Sequence, residues 1–259
     1  MGVTIHADWL RRATGRKAFG KASGGFVVAL AGNPNTGKST LFNALTGLNQ
    51  HTGNWPGKTV ATAYGHYTYR NKMFMLVDLP GTYSLFTSSP EEDITRDFIL
   101  FAQPHVTVVV TDATCLERNL NLTLQVLEIT PKTVVCVNLM DQAGSMGIDI
   151  DTRALARELG VPVVGTAARV GLGLKELKEA IYQVASGLIT PAPVRVRYTP
   201  QLQAAADELA ARISQMGLGN DCATWLAMRL LEPDGNARES AVRYLEGWCG
   251  RGLVGGNRA

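Results

Sequence analysis

The stretch Gly32-Asn33-Pro34-Asn35-Thr36-Gly37-Lys38-Ser39 sets two glycines, a lysine and a hydroxyl at the spacing G-x-x-x-x-G-K-[ST]. Glycines let a backbone curl until its N–H groups point inward, which makes a concave site for phosphate oxygens. The apolar run Phe26–Ala31 before it reads as a buried strand, and Thr40-Leu41-Phe42-Asn43-Ala44-Leu45 after it as the start of a helix. A helix N-terminus at this point adds positive potential. Lys38 is then placed to reach the β- and γ-phosphates of a nucleotide, and the Ser39 hydroxyl to bind magnesium. Asn35, Thr36, Gly37, Lys38, Ser39 and Thr40 are the phosphate-site candidates.

Three further short patterns follow in a meaningful order. Asp78-Leu79-Pro80-Gly81, a D-x-x-G, comes directly after the apolar run Met73–Val77. Its carboxylate can hold a magnesium-bound water, and the Gly81 N–H can meet the γ-phosphate. Asn138-Leu139-Met140-Asp141, an N-x-x-D, follows Thr133–Val137. A carboxylate at Asp141 can accept two hydrogen bonds from guanine, a donor pair that adenine lacks, and an unpaired buried carboxylate makes the discrimination large. Thr166-Ala167-Ala168-Arg169 follows Val161–Val164, and the Ala168 N–H is expected to reach guanine O6. Each pattern alone is an ordinary Gly turn or helix cap. Together and in order they spell a guanine-nucleotide switch protein that binds GTP and GDP. The loop Gly53-Asn54-Trp55-Pro56-Gly57-Lys58-Thr59-Val60 supplies the remaining element. Gly57 lies in it, and Thr59 could ligate magnesium and meet the γ-phosphate, so that the loop orders with that phosphate and relaxes after hydrolysis. Lys38, Asn35 and Thr59 are the catalytic candidates; Ser39, Thr59 and, through water, Asp78 are the magnesium candidates.

These loops need a scaffold. Strand-like runs at Phe26–Ala31, Ala61–Tyr69, Met73–Asp78, Val106–Thr111, Thr133–Asn138 and Pro162–Val164 alternate with helical stretches at Glu91–Phe101, Leu120–Ile129, Thr152–Leu159 and Leu174–Ala185. The pattern predicts an α/β fold of the P-loop NTPase, Ras-like kind, with a mainly parallel six-stranded sheet and helices on both faces. A short turn at Arg70-Asn71-Lys72 makes one antiparallel hairpin, so the Ala61–Tyr69 strand is expected at an edge of the sheet, running the other way. After the proline-bearing stretch Ile189–Pro193 the period changes, and helices over Leu202–Met216, Ala223–Glu232 and about Ala237–Trp248 predict a small all-helical domain. The expected division is a basic flexible tail at 1–24, a nucleotide domain at 25–188, a linker at 189–199, a helical domain at 200–249 and a disordered tail at 250–259.

Composition narrows the class. No apolar run approaches the length of a bilayer span, and the start lacks a signal-peptide core. Gly2 is followed by His6 where a myristoylation signal needs Ser or Thr. A net charge of +3 is too small to argue for nucleic acid. Arg11, Arg12, Arg16, Lys17 and Lys21 make the first 24 residues locally basic, which reads first as a solvated tail. Cys115, Cys136, Cys222 and Cys249 show no metal-ligand spacing and read as reduced thiols.

The chain resembles the cytosolic N-terminal part of the bacterial ferrous-iron transporters of the FeoB family. The carrying residues are GNPNTGKSTLFNALTG (32–47), NQHTGNWPGKTV (49–60), DLPGTYSL (78–85), SSPEEDITRDFIL (88–100), DATCLERNLNLTLQVLE (112–128) and NLMD (138–141). The likeness extends into the helical part through RVRYTPQL (195–202) and TWLAMRLLE (224–232). It implies a first switch at Gln50–Val60, a second at Ser88–Ile99, a helical domain that slows GDP release, and a slow GTPase that regulates iron uptake. It also implies potassium beside magnesium, held by the Asn35 side-chain oxygen beside the phosphates. Implied partners are a transmembrane iron-transport domain outside this sequence, further copies of the chain and small Feo accessory proteins; nucleic acid is not expected. The implied location is cytoplasmic, at the inner face of the bacterial plasma membrane in the full-length parent. The glycine-rich C-terminus fits a cut between the two parts, and a natural stand-alone protein is the alternative.

Three positions depart from the usual pattern. Leu139 stands where lysine commonly covers the base, which implies weak affinity and fast exchange. Ala167 replaces a frequent serine, and Thr82 stands where a water-positioning glutamine often follows D-x-x-G. Two rival readings are a ribosome- or tRNA-associated GTPase, disfavoured because the C-terminal helices lack a basic stripe, and a nucleotide-binding scaffold without catalysis, disfavoured by the intact Lys38, Ser39, Thr59 and Asp78.

Overall fold

The computed structural model describes residues 25–47, 50–55, 60–85, 89–194 and 198–233, with 235, 238–239, 241–242 and 244–246. The expected tails at 1–24 and 250–259, and Gly57 and Thr59, lie outside the described residues. In chain order the elements are β1 (Phe26–Gly32), α1 (Lys38–Thr46), β2 (Gln50–Asn54), β3 (Ala61–Tyr69), β4 (Lys72–Asp78), α2 (Pro90–Asp97), β5 (Val106–Asp112), α3 (Leu116–Ile129), β6 (Thr133–Asn138), α4 (Met140–Ser145), α5 (Thr152–Leu159), β7 (Val163–Gly165), α6 (Leu174–Ala185), α7 (Pro200–Gln215) and α8 (Asn220–Leu231).

The strands form one sheet in the order β2-β3-β4-β1-β5-β6-β7. β4, β1, β5, β6 and β7 pair in parallel, so their C-terminal ends share one edge. Strands covered on both faces must be apolar on both, which explains the unbroken run Val27–Ala31 and the fully buried β6. On one face Val28, Leu30, Phe74, Leu76 and Val108 pack with Leu41, Phe42 and Leu45 of α1 and Leu177 and Ile181 of α6. On the other, Val135 and Val137 pack with Leu127 of α3, Ala143 of α4 and Leu159 of α5. The β3–β4 hairpin turns at Arg70 (φ 47°) and Asn71 (φ 58°), both left-handed, as a two-residue turn between twisted strands requires.

The sheet has seven strands where the sequence pattern counts six. The seventh, β2, pairs antiparallel with β3 from Gln50 opposite Gly65 to Asn54 opposite Ala61, so β3, expected at the edge, lies inside the sheet and β2 takes the edge. Gly53 and Asn54, read from the sequence as loop, therefore end an edge strand. The helix expected at Glu91–Phe101 is two pieces. α2 starts at a capping box, with Ser89 accepting from the Glu92 N–H while Glu92 reaches back to the Ser89 N–H, and a π-helical turn follows at Phe98–Ala102. The helix expected from Leu120 begins at Leu116, and the short α4 was not expected as an element.

The chain divides into two units, one holding the sheet and running to Arg195, the other starting at Val196. Within the first, residues 191–194 lie along the end of α5: the Ala192 N–H donates to the Gly160 carbonyl at 3.0 Å and the Val194 N–H to the Leu159 carbonyl at 3.2 Å. Within the second, Thr199 caps α7 by accepting the Leu202 N–H, with Pro200 in the first helical position. Further on, the described residues between 235 and 246 are helical. Among the described residues no helix is long and apolar enough to cross a membrane.

Candidate functional site

The loops expected to carry chemistry leave the sheet at the C-terminal ends of β1, β4, β6 and β7, one edge of a parallel sheet and the usual place for a ligand in such folds. The first runs from Gly32 into α1. Asn35 sits at its top, exposed and left-handed at φ 67°. Thr36 is buried beneath, its hydroxyl donating to the Asn33 carbonyl at 3.0 Å, so this side chain shapes the loop from inside. Gly37 is left-handed at φ 77°, and a Cβ there would fall 2.4 Å from Asn138 Nδ2. Two separate constraints therefore demand glycine at this position. Ser39 and Thr40 are exposed in the first turn of α1, beside the open N–H groups of the helix start.

Lys38 Nζ forms an ion pair with Asp78 Oδ1 and donates to the Leu79 carbonyl at 2.6 Å. Burial pushes the Asp78 carboxyl up from its ordinary value, and the Lys38 ammonium beside it pulls the other way. The pair thus joins the phosphate loop to D-x-x-G through the two side chains expected to manage phosphate and magnesium charge. Beyond Asp78 the chain is held closely. The Leu79 N–H donates to the Leu30 carbonyl at 3.0 Å, the Thr82 N–H to the Gly32 carbonyl at 3.2 Å, and the Thr95 hydroxyl to the Pro80 carbonyl at 3.2 Å. Gly81 lies against Pro34, where a Cβ would come within 3.3 Å of backbone atoms.

Asn138 is the hub of the site. Its Nδ2 donates to the Thr36 carbonyl at 3.0 Å, and its Oδ1 accepts from the Thr166 hydroxyl at 3.0 Å and the Ala168 N–H at 3.1 Å. One buried amide therefore ties the phosphate loop to the Thr166–Ala168 loop. The Met140 N–H completes the tie by donating to the Thr166 carbonyl at 3.1 Å. The Ala168 N–H, expected to face guanine O6, is engaged by Asn138 in this structure, so a guanine oxygen would share or replace that bond. Ala167 is buried and exchanges backbone hydrogen bonds with Leu172, which closes the loop on itself. Asp141 is exposed in the first turn of α4, and Leu139 precedes it in the left-handed conformation at φ 64°. Behind the hub, Cys136 Sγ contacts the Thr166 hydroxyl at 3.2 Å, and burial pushes this thiol up to about 12, which keeps it neutral.

Asn35 to Thr40, Asp78, Gly81, Asn138, Asp141 and Thr166 to Ala168 thus gather at one sheet edge, while Gly57 and Thr59 fall outside the described residues. At the base of their loop, the Trp55 N–H donates to the Val60 carbonyl at 2.9 Å. The Trp55 ring is buried and meets Phe98 of the π-helical turn edge to face, with centroids 5.8 Å apart. Sequence reasoning assigned no role to Trp55, Arg96 or Gln125. Arg96 is a buried cation paired with Asp93 that donates to the Leu85 carbonyl at 3.1 Å. Gln125 accepts the Leu85 N–H. The available signal was a polar residue inside an otherwise apolar helix face, as at Gln125 between Leu122 and Val126.

The family model described as ferrous iron transport protein B matches residues 26–181. The Fe(2+) transporter FeoB of Escherichia coli K12 is 39% identical over 212 residues, covering 80% of this chain and 27% of that protein. The chain therefore spans about a quarter of the length of this curated relative. Among solved structures, the cytosolic domain of the T. maritima FeoB iron transporter in its apo form superposes with a TM-score of 0.75 at 35% identity, covering 84% of this chain and 85% of that one. Its GMPPNP form gives a TM-score of 0.74 at 35% identity, covering 84% and 85%. A match over more than half the sequence and a shared fold at this identity agree with the loops described above: the chain belongs to the ferrous iron transport protein B family.

Proposed function

We propose that this chain binds GTP, hydrolyses it to GDP and phosphate, and serves as the nucleotide-dependent regulatory part of a ferrous iron transporter. The observation that carries the reading is the Asn138 hub, which draws the phosphate loop and the Thr166–Ala168 loop together beside Asp141. The open N–H groups at the start of α1 and the carboxylate of Asp141, carried on loops of one sheet edge, suit the phosphates and the base of a guanine nucleotide. The GMPPNP form of the T. maritima domain supports it from a relative.

In this reading Lys38 leaves Asp78 for the β- and γ-phosphates, and Asp141 selects guanine. Leu139, whose Cδ2 lies near the Gly37 position, would cover the base with an apolar side chain in place of a lysine stem. Magnesium prefers hard oxygen donors, and the Ser39 hydroxyl, the Asp78 carboxylate through water and Thr59 fit it. Bound there, it would neutralise phosphate charge. Asn35 is exposed at the loop top with an amide oxygen of the kind that suits potassium. With first-switch carbonyls around Asn54–Gly57, it would hold a monovalent cation that supplies the positive charge an arginine provides elsewhere. Hydrolysis of the γ-phosphate would release the Thr59 loop and so report the nucleotide state to the iron-transporting part.

The test is phosphate release in potassium and in sodium at equal ionic strength. Wild type is expected to turn over several-fold faster in potassium, and Asn35→Ala to lose the difference while still binding GDP. Equal wild-type rates in the two salts would remove Asn35 from this role.

A further inference from the structure

The chain that follows Gly81 is laid along one face of α3. Arg118 lies over the Tyr83 ring, 4.7 Å from its centroid. Seven residues on, about two helical turns and so on the same face, Gln125 is buried. Its Oε1 accepts the Leu85 N–H at 2.7 Å and the Ser84 hydroxyl at 3.3 Å, and its Nε2 donates to Asn121 Oδ1 at 3.3 Å. A backbone N–H can only donate, so the amide orientation is fixed by Leu85 itself. Tyr83, Ser84 and Leu85 each meet α3. Leu85 is also gripped from the other side, where Arg96 of α2 takes its carbonyl.

Such anchoring has a purpose at Gly81. A glycine has no side chain to hold it, and its backbone is free to turn unless its neighbours are fixed. Pro34 backs it on one side. Downstream, Thr82 is bonded to the Gly32 carbonyl, and its hydroxyl donates to the Ser84 carbonyl at 2.7 Å. The next firm point is Leu85. An apolar side chain would fill the space at 125 equally well; the amide is explained by the N–H it satisfies, forty residues away in sequence.

We propose that Gln125 is a positioning residue for GTP hydrolysis: by holding Leu85 against α3 it fixes the Gly81–Leu85 backbone and keeps the Gly81 N–H aimed at the γ-phosphate. This rests on the GTPase reading above. Gln125 touches no phosphate, so its loss slows the chemical step and leaves binding intact.

The experiment is steady-state GTP hydrolysis by wild type, Gln125→Leu, Gln125→Glu and Asn121→Ala, with melting temperature and GDP affinity measured alongside. Gln125→Leu keeps the volume and removes the acceptor; it lowers kcat roughly 5- to 10-fold, the worth of one neutral hydrogen bond, with KM and GDP affinity within about twofold. Gln125→Glu restores an acceptor for Leu85 and recovers most of the rate. Asn121 is exposed, so Asn121→Ala folds whatever Gln125→Leu does, and by freeing the amide it gives a smaller fall, roughly 2- to 3-fold. Wild-type kcat in both Gln125→Leu and Asn121→Ala overturns the proposal, as does a Gln125→Glu enzyme as slow as Gln125→Leu at equal stability. A wild-type protein that hydrolyses no GTP overturns the nucleotide reading, and this proposal with it.

Discussion

Asn138 commits both ends of its amide to protein groups, and the residues it joins lie 102, 28 and 30 positions away along the chain. The N-x-x-D spacing exposed the position but not those partners, because nothing local in a sequence records a bond of that span. Asp141, in contrast, was placed by spacing alone, exposed in the first turn of α4, and its part in choosing the base is the proposal made above. Substituting Asp141→Asn replaces a double acceptor with a group that can donate to the carbonyl of xanthine. The expected result is a loss of GDP affinity of about 100-fold or more with a gain for xanthosine diphosphate, since an unpaired polar group in a site built for hydrogen bonds is rejected strongly. Titration calorimetry with both nucleotides checks it, and equal GDP affinity in mutant and wild type would take Asp141 out of the base site.

Elements were legible where periodicity or caps speak. The parallel strands announced themselves as apolar runs between turn residues, and α5 and α6 have the bounds their pattern gave, Thr152–Leu159 and Leu174–Ala185. β2 was not legible. Gln50-His51-Thr52-Gly53-Asn54 has no apolar alternation, because it is an edge strand held by backbone pairing to β3. The π-helical turn Phe98–Ala102 reads in sequence as more helix, since the apolar residues that bury it fit either winding. Caps give a sharper test. Asp151 starts α5 by accepting the Arg153 and Ala154 N–H groups, each at 2.9 Å. The Ala154 bond above all, with Arg153 and the charges of Arg157 and Arg153, holds its carboxyl below the usual range. An acid with a lowered folded-state pKa stabilises the fold above its unfolded value and loses that contribution as pH falls through the lowered one. Asp151→Ala should therefore unfold at lower urea than wild type at neutral pH. The gap should narrow on titration past the ordinary aspartate value of about 4, and Asp151→Asn, a neutral acceptor, should show a smaller gap at neutral pH that vanishes once the aspartate is protonated. A gap that is constant with pH would mean that the carboxylate charge plays no part in the cap.

At the scale of the whole molecule, one consequence of parallel pairing organises the site. β1, β4, β6 and β7 all end on the same edge, so four short motifs spread from Gly32 to Ala168 converge without any further device. That convergence could be read from the sequence because each motif directly follows an apolar strand. The grip on the chain after Gly81 could not, since Arg96 and Gln125 act through contacts made only once the sheet and helices are assembled. The change of period after Pro193 comes shortly before the second compact unit, which starts at Val196 and holds α7 and α8. As proposed above, the assembled edge is a guanine-nucleotide hydrolysis site. The measurement that tests it most directly is phosphate release from GTP and from ATP, side by side, with magnesium and potassium present. Turnover of GTP is expected, with ATP slower by about 100-fold or more, the discrimination of a hydrogen-bonding base site. Equal rates with the two nucleotides, or no phosphate released from GTP, would contradict it.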